Sequence, residues 1–383
     1  MNDVAGSSRT IRDELVRRAA ILAPLLREHA AEGERDRRVP RQTVAALRES
    51  GILRVCQPAR FGGQELGWDA LCELTIELAR GDGSQAWVAN IYAEHAMFTG
   101  LFPEQCQREV WADSQDVLIS ASILPQGNKI EPVEGGYRLN GRWAFASGVN
   151  HADWVMLADF VKTGAEPPVV IFLLTPAATL VIEDDWHTMG MAGTGSASVV
   201  AKDLFIPAHR SLSNLAVMAG EAPGTAFNPA PVYRMPIMAY AQLALAAVPI
   251  GVAAGMVDDF TAFIKGRAQA PAGELLQEVL AEASAAVHAA RLLVVERARH
   301  NMDVLAEGGR LVEADAAISM RDSGYAIQLT RRAAQRLFEA TGGHGLYLSA
   351  PMQRAFRDVM GGGAHGSLNW PRSALRYAKA ALT

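Results

Sequence analysis

The sequence lacks most features that identify secreted, metal-binding or nucleic-acid-binding proteins. Its 383 residues contain only three cysteines, Cys56, Cys72 and Cys106. They are odd in number and have no CxxC spacing, so no disulfide framework is expected and the thiols are expected to be reduced. The nine histidines form no HxxxH pair, and no GxSxG motif is present, which disfavours a metal site and a serine hydrolase.

Charge and hydropathy exclude further classes of protein. With 36 basic and 41 acidic residues the net charge is -5, which leaves no basic excess for nucleic acid. The N-terminal stretch MNDVAGSSRTIRDELVRR lacks the apolar core of a signal peptide, so a cytoplasmic protein is expected. One long apolar run, Pro236 to Val257, could span a bilayer by length. It is rich in Ala and Gly and contains Pro249, so we expect a buried helix and no membrane partner.

The hydrophobic periodicity divides the chain into three parts. Helical spacing over Ile11–Ala31, Arg41–Ser50, Trp68–Arg80 and Ser84–Gly100 predicts an N-terminal helical domain, residues 1–115. Period-two alternation through Tyr137, Leu139, Trp143 and Phe145 and short apolar runs predict a central β domain, residues 116–208. A Pro- and Gly-rich segment to about Pro236, expected at the surface, and long helices such as Ala314–Ala340 predict a connection and a C-terminal four-helix bundle, residues 209–383.

This order, together with several collinear motifs, resembles the acyl-CoA dehydrogenase superfamily over essentially the whole chain. The motifs are QPARFGGQELG, GRWAFASGVNHADW, MAGTGSASVVAKDLFIP, LFEATGGHGLY and RAFRDVM. The resemblance implies an α+β protein of acyl-CoA dehydrogenase-like fold, in which helical domains flank a central β-barrel or sandwich.

The resemblance fails at the carboxylate base that such a dehydrogenase needs. The commonest position, eight residues after the Arg357-Asp358 pair, is Gly366, and the alternative position is Ala241. Next to the lost base stands His365. This pattern is similar to the two-component flavin monooxygenases that hydroxylate phenols, in which a separate reductase supplies reduced flavin and the oxygenase protects a flavin hydroperoxide formed with dioxygen.

That branch of the superfamily implies two catalytic histidines and two serines. His95 would face the substrate hydroxyl, where a group that titrates near neutral pH can help to deprotonate a phenol. His365 would manage the peroxide proton. Ser122 would lie on the substrate side, and Ser147 would hydrogen-bond the flavin N5.

The remaining cofactor residues follow from the same resemblance. Trp143, Thr194, Gly195 and Ser196 would lie against the flavin ring or its ribityl chain. The phosphate end would meet Arg267 and the turn Gly342-Gly343, with a neighbouring subunit contributing in a homotetramer. Glu339 stands where dehydrogenases commonly have a Gln beside the adenine, so the resemblance leaves the choice between FMN and FAD open.

The sequence thus predicts the oxygenase component of a two-component monooxygenase, with a phenolic or fused aromatic substrate, dioxygen and a partner reductase. Three alternatives stay open. The oxygen could go to nitrogen or sulfur, the chain could be an acyl-CoA dehydrogenase or oxidase with an unrecognised base, or it could be a non-enzymatic protein that kept the fold.

Overall fold

The structure, a computed structural model, describes residues 2–162, 167–266 and 273–382. Arg267, predicted to meet the flavin phosphate, lies outside these residues. The predicted order of helices, sheet and helices is confirmed.

Five helices precede the first strand. Arg41–Ser50 is a helix as predicted, ending at Gly51 in the left-handed conformation that suits glycine after a helix. The helix predicted over Ser84–Gly100 is confirmed within one residue at each end. The five helices are α1 (Asn2–Asp36), α2 (Arg41–Ser50), α3 (Trp68–Ala79), α4 (Gly83–Thr99) and α5 (Glu104–Val110).

The described strands form two four-stranded sheets, in the orders β1-β4-β5-β8 and β2-β3-β7-β6. Strands β1 and β4 pair in parallel, whereas the other pairings are antiparallel. The strands are β1 (Ile119–Ser122), β2 (Lys129–Val133), β3 (Gly136–Ala146), β4 (Trp154–Val161), β5 (Val169–Pro176), β6 (Val181–Ile182), β7 (Ala197–Pro207) and β8 (Ser211–Ser213).

The β core is centred on Trp143, whose side chain is fully buried and whose Nε1 donates to the Ala158 carbonyl at 3.1 Å. The period-two pattern predicted that Phe145 lies on the same face. The structure differs, because the β3–β7 register shifts between Trp143 and Ala146 and Phe145 takes a φ of 67°. This bulge turns Phe145 outward, where it is 66% exposed.

The segment between Pro207 and Pro236 is more than the surface connection predicted from its composition. β8 adds a strand beside β5, and Val232 and Tyr233 are buried, with the Tyr233 hydroxyl donating to the Cys56 carbonyl. The segment also contains α6 (Asn214–Ala219).

The C-terminal helices pack around the apolar run, which forms a helix with 78% of its most apolar 18-residue window buried. The prediction of a buried helix is therefore confirmed, with Pro249 tolerated inside it. These helices are α7 (Ile237–Lys265), α8 (Glu274–Ala306), α9 (Glu313–Ala340), α10 (Pro351–Gly362) and α11 (Trp370–Leu382).

Replacing the buried indole tests the bulge. We expect Trp143→Ala to lower the free energy of unfolding by about 3–5 kcal/mol, because it removes a large side chain from a filled core. Phe145→Ala, two residues along the strand, should lower it by less than about 1 kcal/mol, as for an exposed side chain. Denaturant unfolding of the two variants checks this, and equal losses would contradict the bulged register.

Candidate active site

Helix α4 forms one wall of the site and is buried along almost its whole length. Asp82 caps its first turn by accepting from the Gln85 amide at 2.9 Å. Every residue of the helix is buried except Ile91, which is partly exposed. Trp87, Ile91 and His95 follow one another at four-residue spacing, so they lie along one stripe of the helix.

Trp87 contacts a chain of hydroxyl groups from two strand ends. Its Nε1 donates to the Ser147 Oγ at 3.2 Å, and the Ser147 Oγ lies 2.7 Å from the Ser196 Oγ. The Ser196 Oγ lies 2.7 Å from the Thr194 Oγ1, which donates to the Met191 carbonyl at 2.7 Å. The structure therefore brings together three of the predicted cofactor residues.

The direction of each hydrogen bond in this hydroxyl chain follows from the groups at its two ends. A carbonyl only accepts, so the single hydroxyl proton of Thr194 is committed to Met191. Ser196 must then donate to Thr194, and Ser147 must donate to Ser196. Ser147, which already accepts from Trp87, offers a ligand a second accepting lone pair and no proton.

Two glycines allow the elements to approach one another here. The Gly148 amide donates to the Thr194 carbonyl at 2.9 Å, and the Gly148 carbonyl accepts from the Tyr92 hydroxyl at 2.6 Å. A Cβ at Gly148 would lie 2.7 Å from the Tyr92 hydroxyl, and its φ is 72°. Gly195 also has a positive φ, and a Cβ there would meet the Arg37 carbonyl. Its role is to permit the turn.

His95 is a neutral acceptor. Its Nδ1 lies 3.0 Å from the Ile119 carbonyl, which can only accept, so the proton is on Nδ1. Burial lowers the pKa of His95 to about 4, against the raising effect of that hydrogen bond. Nε2 has no partner among the described residues and can accept a proton from a ligand.

His365 has the opposite tautomer. Its Nδ1 accepts from the Ser367 amide at 3.3 Å, and burial lowers its pKa, so the neutral ring carries its proton on Nε2. Its ring centroid is 5.9 Å from that of Trp87. The site thus has an acceptor nitrogen on α4, at His95, and a donor nitrogen beside Trp87 of the same helix, at His365.

The loop that carries Thr194 and Ser196 is held by α10. The Asp358 carboxylate accepts from the Met191 amide at 2.6 Å, and Arg357 donates to the Met189 carbonyl at 2.5 Å. Burial, and then Asp82, raise the pKa of Asp358 to about 7. Arg357 and Asp358 therefore hold the backbone at Met189 and Met191, and through it they position the hydroxyl chain without belonging to it.

Ser122 lies at the end of β1, where its hydroxyl donates to the Ala144 carbonyl at 2.7 Å and accepts from Gln126 at 3.0 Å. The only hydroxyl proton of Ser122 is therefore used in the hydrogen bond from β1 to β3. A role on the substrate side, as predicted, would rest on its remaining acceptor capacity.

The Trp143 side chain does not join this cluster, because its ring is buried in the β core, and its contact with the flavin stays a prediction. The exposed aromatic surface belongs to Phe145, whose ring makes an edge-to-face contact with Trp186 at 6.0 Å. Met189 and Leu124 are also exposed, at 63% and 61%. An exposed apolar surface beside a hydroxyl chain fits a flat ring system with a polar edge.

The glycine turn lies elsewhere in the chain. Gly342 and Gly343 begin a short 3-10 helix between α9 and α10, with no atom within 4 Å of a Cβ added at either position. Glu339 accepts from Gln335 on the same helix. The turn makes no contact with the hydroxyl chain, so a role in phosphate binding would need a second copy of the protein.

Sequence reasoning missed Trp87 and Glu94. Trp87 could have been found, because it precedes the candidate His95 by two helical turns. Glu94 is only 5% exposed, and its Oε2 has no hydrogen-bond partner. Burial raises the pKa of Glu94 to about 8, so the carboxyl is neutral near pH 7.

Comparison with known proteins places the chain among flavin-dependent relatives of one family. The family model "Acyl-CoA dehydrogenase, N-terminal domain" matches residues 9–111, and "Acyl-CoA dehydrogenase, C-terminal domain" matches residues 243–370. The oxygenase component of FADH(2)-dependent resorcinol hydroxylase from Rhizobium sp. (strain MTP-10005) is 36% identical, over 97% of this chain and 95% of that protein.

Two further relatives belong to the same group. The oxygenase subunit HsaA of a flavin-dependent monooxygenase from Rhodococcus jostii (strain RHA1) is 33% identical, over 94% of this chain and 96% of that protein. The crystal structure of 3-HSA hydroxylase from Rhodococcus sp. RHA1 superposes with a TM-score of 0.93 at 32% identity, over 96% and 97% of the two chains.

The buried carboxyl of Glu94 makes a prediction about stability and pH. The pKa of the Glu94 carboxyl is higher in the folded protein than in the unfolded chain. Its contribution to the stability of the fold is therefore present below the unfolded pKa, near 4.5, and is lost as the pH rises toward 8. We expect Glu94→Gln to raise the melting temperature at pH 7.5, by the equivalent of a few kcal/mol, with a smaller gain as the pH falls toward 5. Melting curves across that range, with the exposed Glu49→Gln as control, check this. A gain independent of pH would contradict a neutral Glu94.

Proposed function

The chain belongs to the acyl-CoA dehydrogenase family, and we propose that it is the oxygenase component of a two-component, flavin-dependent aromatic hydroxylase. The relatives named as resorcinol hydroxylase and as the HsaA monooxygenase subunit support this function. The observation that carries it is that one buried helix, α4, carries both the neutral, accepting His95 and, two turns earlier, the Trp87 indole that donates to the Ser147–Ser196–Thr194 hydroxyl chain.

The same residues argue against acyl-CoA dehydrogenation. The two positions at which the family places its base are Gly366 and Ala241, and neither can take a proton. Neither family position therefore supplies a carboxylate base for the α-proton of a thioester.

The hydroxyl chain and the exposed aromatic surface would hold the flavin. When bound, a reduced flavin supplies the electrons that activate dioxygen. Ser147 offers only an acceptor, which suits the N–H at N5 that a flavin carries in its reduced form. Thr194, Ser196 and the neighbouring Gly195 keep that acceptor in place, and Phe145 offers a face to the ring.

The two histidines would divide the proton transfers. His95 Nε2 accepts a hydrogen bond from a phenolic hydroxyl, which draws the proton away from the oxygen and makes the ring a better nucleophile. His365 Nε2 is a donor on the side of Trp87, where it can supply a proton as oxygen is transferred. Phenols and fused phenolic rings are therefore the substrates that we propose.

The finer assignments rest on the family and on the fold. We propose FMN or FAD as the flavin, delivered in reduced form by a separate reductase. FAD has the support of the relative named FADH(2)-dependent, and Glu339 leaves FMN open. We also propose a cytoplasmic homotetramer in which the turn Gly342-Gly343 of one subunit reaches the flavin phosphate of another. Leu346, Tyr347 and Leu348 follow this turn, and their side chains are 67% to 85% exposed.

Removing the proton acceptor tests the function. With reduced flavin, air and a phenol, we expect His95→Ala to lower kcat/KM by about 10² to 10⁴, as for loss of a general base. His300→Ala on the exposed side of α8 is the control and should retain full activity. Product formation measured by chromatography checks this. Phenol hydroxylation that survives His95→Ala unchanged would refute the role assigned to His95. A wild type that oxidises a nitrogen or sulfur atom but no phenol would refute the proposed substrate class.

A further inference from the structure

Trp186 lies in the loop that joins β6 to β7, residues 183–196, and it contacts two parts of the candidate flavin site. Its ring makes the edge-to-face contact with Phe145, with ring centroids 6.0 Å apart. Its Nε1 donates to the Met191 carbonyl at 3.1 Å, which also accepts from the Thr194 hydroxyl and amide. One side chain therefore connects the exposed aromatic surface with the far end of the hydroxyl chain.

Both residues that Trp186 contacts have a backbone conformation that side chains disfavour. The φ angle is 67° at Phe145 and 56° at Met191. Positive φ values are uncommon for residues other than glycine, and they persist only where the surrounding structure holds them. Because the indole contacts the ring of Phe145 and the carbonyl of Met191, Trp186 is placed to hold both conformations.

The contacts of Trp186 also close a ring of residues. The Ser147 amide donates to the Phe145 carbonyl at 3.0 Å, so the backbone of Phe145 constrains the position of Ser147. The hydroxyl chain runs from Ser147 to Met191, and the indole returns from Met191 to Phe145. In order, the ring consists of Phe145, Ser147, Ser196, Thr194, Met191 and Trp186. In such a ring the face of Phe145 and the accepting oxygen of Ser147 cannot move independently.

The loop that carries Trp186 is attached on both sides of the indole. Before it, the Asp185 carboxylate accepts from the Ser198 amide at 2.9 Å and from the Ser198 hydroxyl at 2.6 Å. After it, the side chains of α10 hold the backbone at Met189 and Met191. The indole is therefore presented from a fixed backbone, which a positioning role requires.

We propose that Trp186 is a positioning residue for the flavin. It keeps the Phe145 ring turned outward and, through Met191, keeps the hydroxyl chain in place, so that an aromatic face and the Ser147 acceptor meet the flavin in one arrangement. This inference rests on the function proposed above and extends its cofactor site to a residue outside the hydroxyl chain. Trp186 moves no proton, because its N–H is committed to Met191 and an indole has no acceptor.

The test measures the dissociation constants of reduced FMN and reduced FAD by anaerobic titration calorimetry. Trp186→Phe keeps a ring beside Phe145 and removes the N–H, so the dissociation constant of the flavin that binds should rise about two- to tenfold, as for one lost hydrogen bond. Trp186→Ala removes both contacts and should raise it about 5- to 100-fold. Trp154→Phe is the matched control, because Trp154 is another partly buried tryptophan of the β domain, and it should bind flavin as the wild type does.

Steady-state kinetics separates positioning from loss of folded protein. Positioning predicts that Trp186→Ala raises KM for reduced flavin, while kcat at saturating flavin and KM for the phenol change less than about threefold, because a binding contact is lost and the chemistry is kept. Loss of folded enzyme would instead lower kcat and leave both KM values unchanged. That second result would overturn the proposal.

A double-mutant cycle tests the contact between the two rings. Phe145→Ala removes the partner of the indole ring, so Trp186→Ala should raise the flavin dissociation constant by a smaller factor in that background than in the wild type. Equal factors in the two backgrounds would show that Trp186 does not act through Phe145 and would contradict the proposal.

Binding measured without turnover distinguishes this proposal from the function on which it rests. A wild type that binds reduced flavin, loses affinity in Trp186→Ala and hydroxylates no phenol would refute the proposed function and support the role of Trp186. Trp186 variants of an active hydroxylase that bind reduced flavin as tightly as the wild type would refute that role alone. A wild type that binds no reduced flavin would overturn both.

Discussion

The burial of α4 is the constraint on which the rest of the site depends. The helix lies between α3, α7 and the first strand, and Ile91 alone remains partly exposed. Water is therefore scarce around the polar side chains of the helix, and each charged form is penalised. That single effect makes His95 a neutral acceptor and Glu94 a neutral acid near pH 7. A solvent-exposed helix with the same sequence would carry a carboxylate instead.

The elements around α4 fix the direction of the hydrogen bonds in this buried site. The close approach at Gly148 connects the helix to the turn that carries Thr194. The Asp358 carboxylate holds the next part of that loop through Met191. With both ends fixed, the hydroxyl protons can point only one way, and Ser147 is left as an acceptor.

Local patterns in the sequence were sufficient for the helices and for most of the cluster. The helical periodicity around His95 and the motifs containing Ser147, Thr194 and Ser196 are short-range features, and the structure brings the three hydroxyl residues together. The outward turn of Phe145 was not predictable, because it depends on a bulge in the pairing of β3 with β7. Glu94 was missed for a related reason: its isolation is created by the packing of α3 and α7, which are distant in sequence.

The origin of the oxygen atom in the product tests the central claim most directly. The enzyme would be supplied with reduced flavin and a phenol under ¹⁸O₂, and the product analysed by mass spectrometry. An oxygenase of this kind inserts one atom of dioxygen, so the account predicts one ¹⁸O atom in each product molecule. A product whose added oxygen comes from water, or one that has lost hydrogen without gaining oxygen, would contradict it and identify the protein as a dehydrogenase or oxidase.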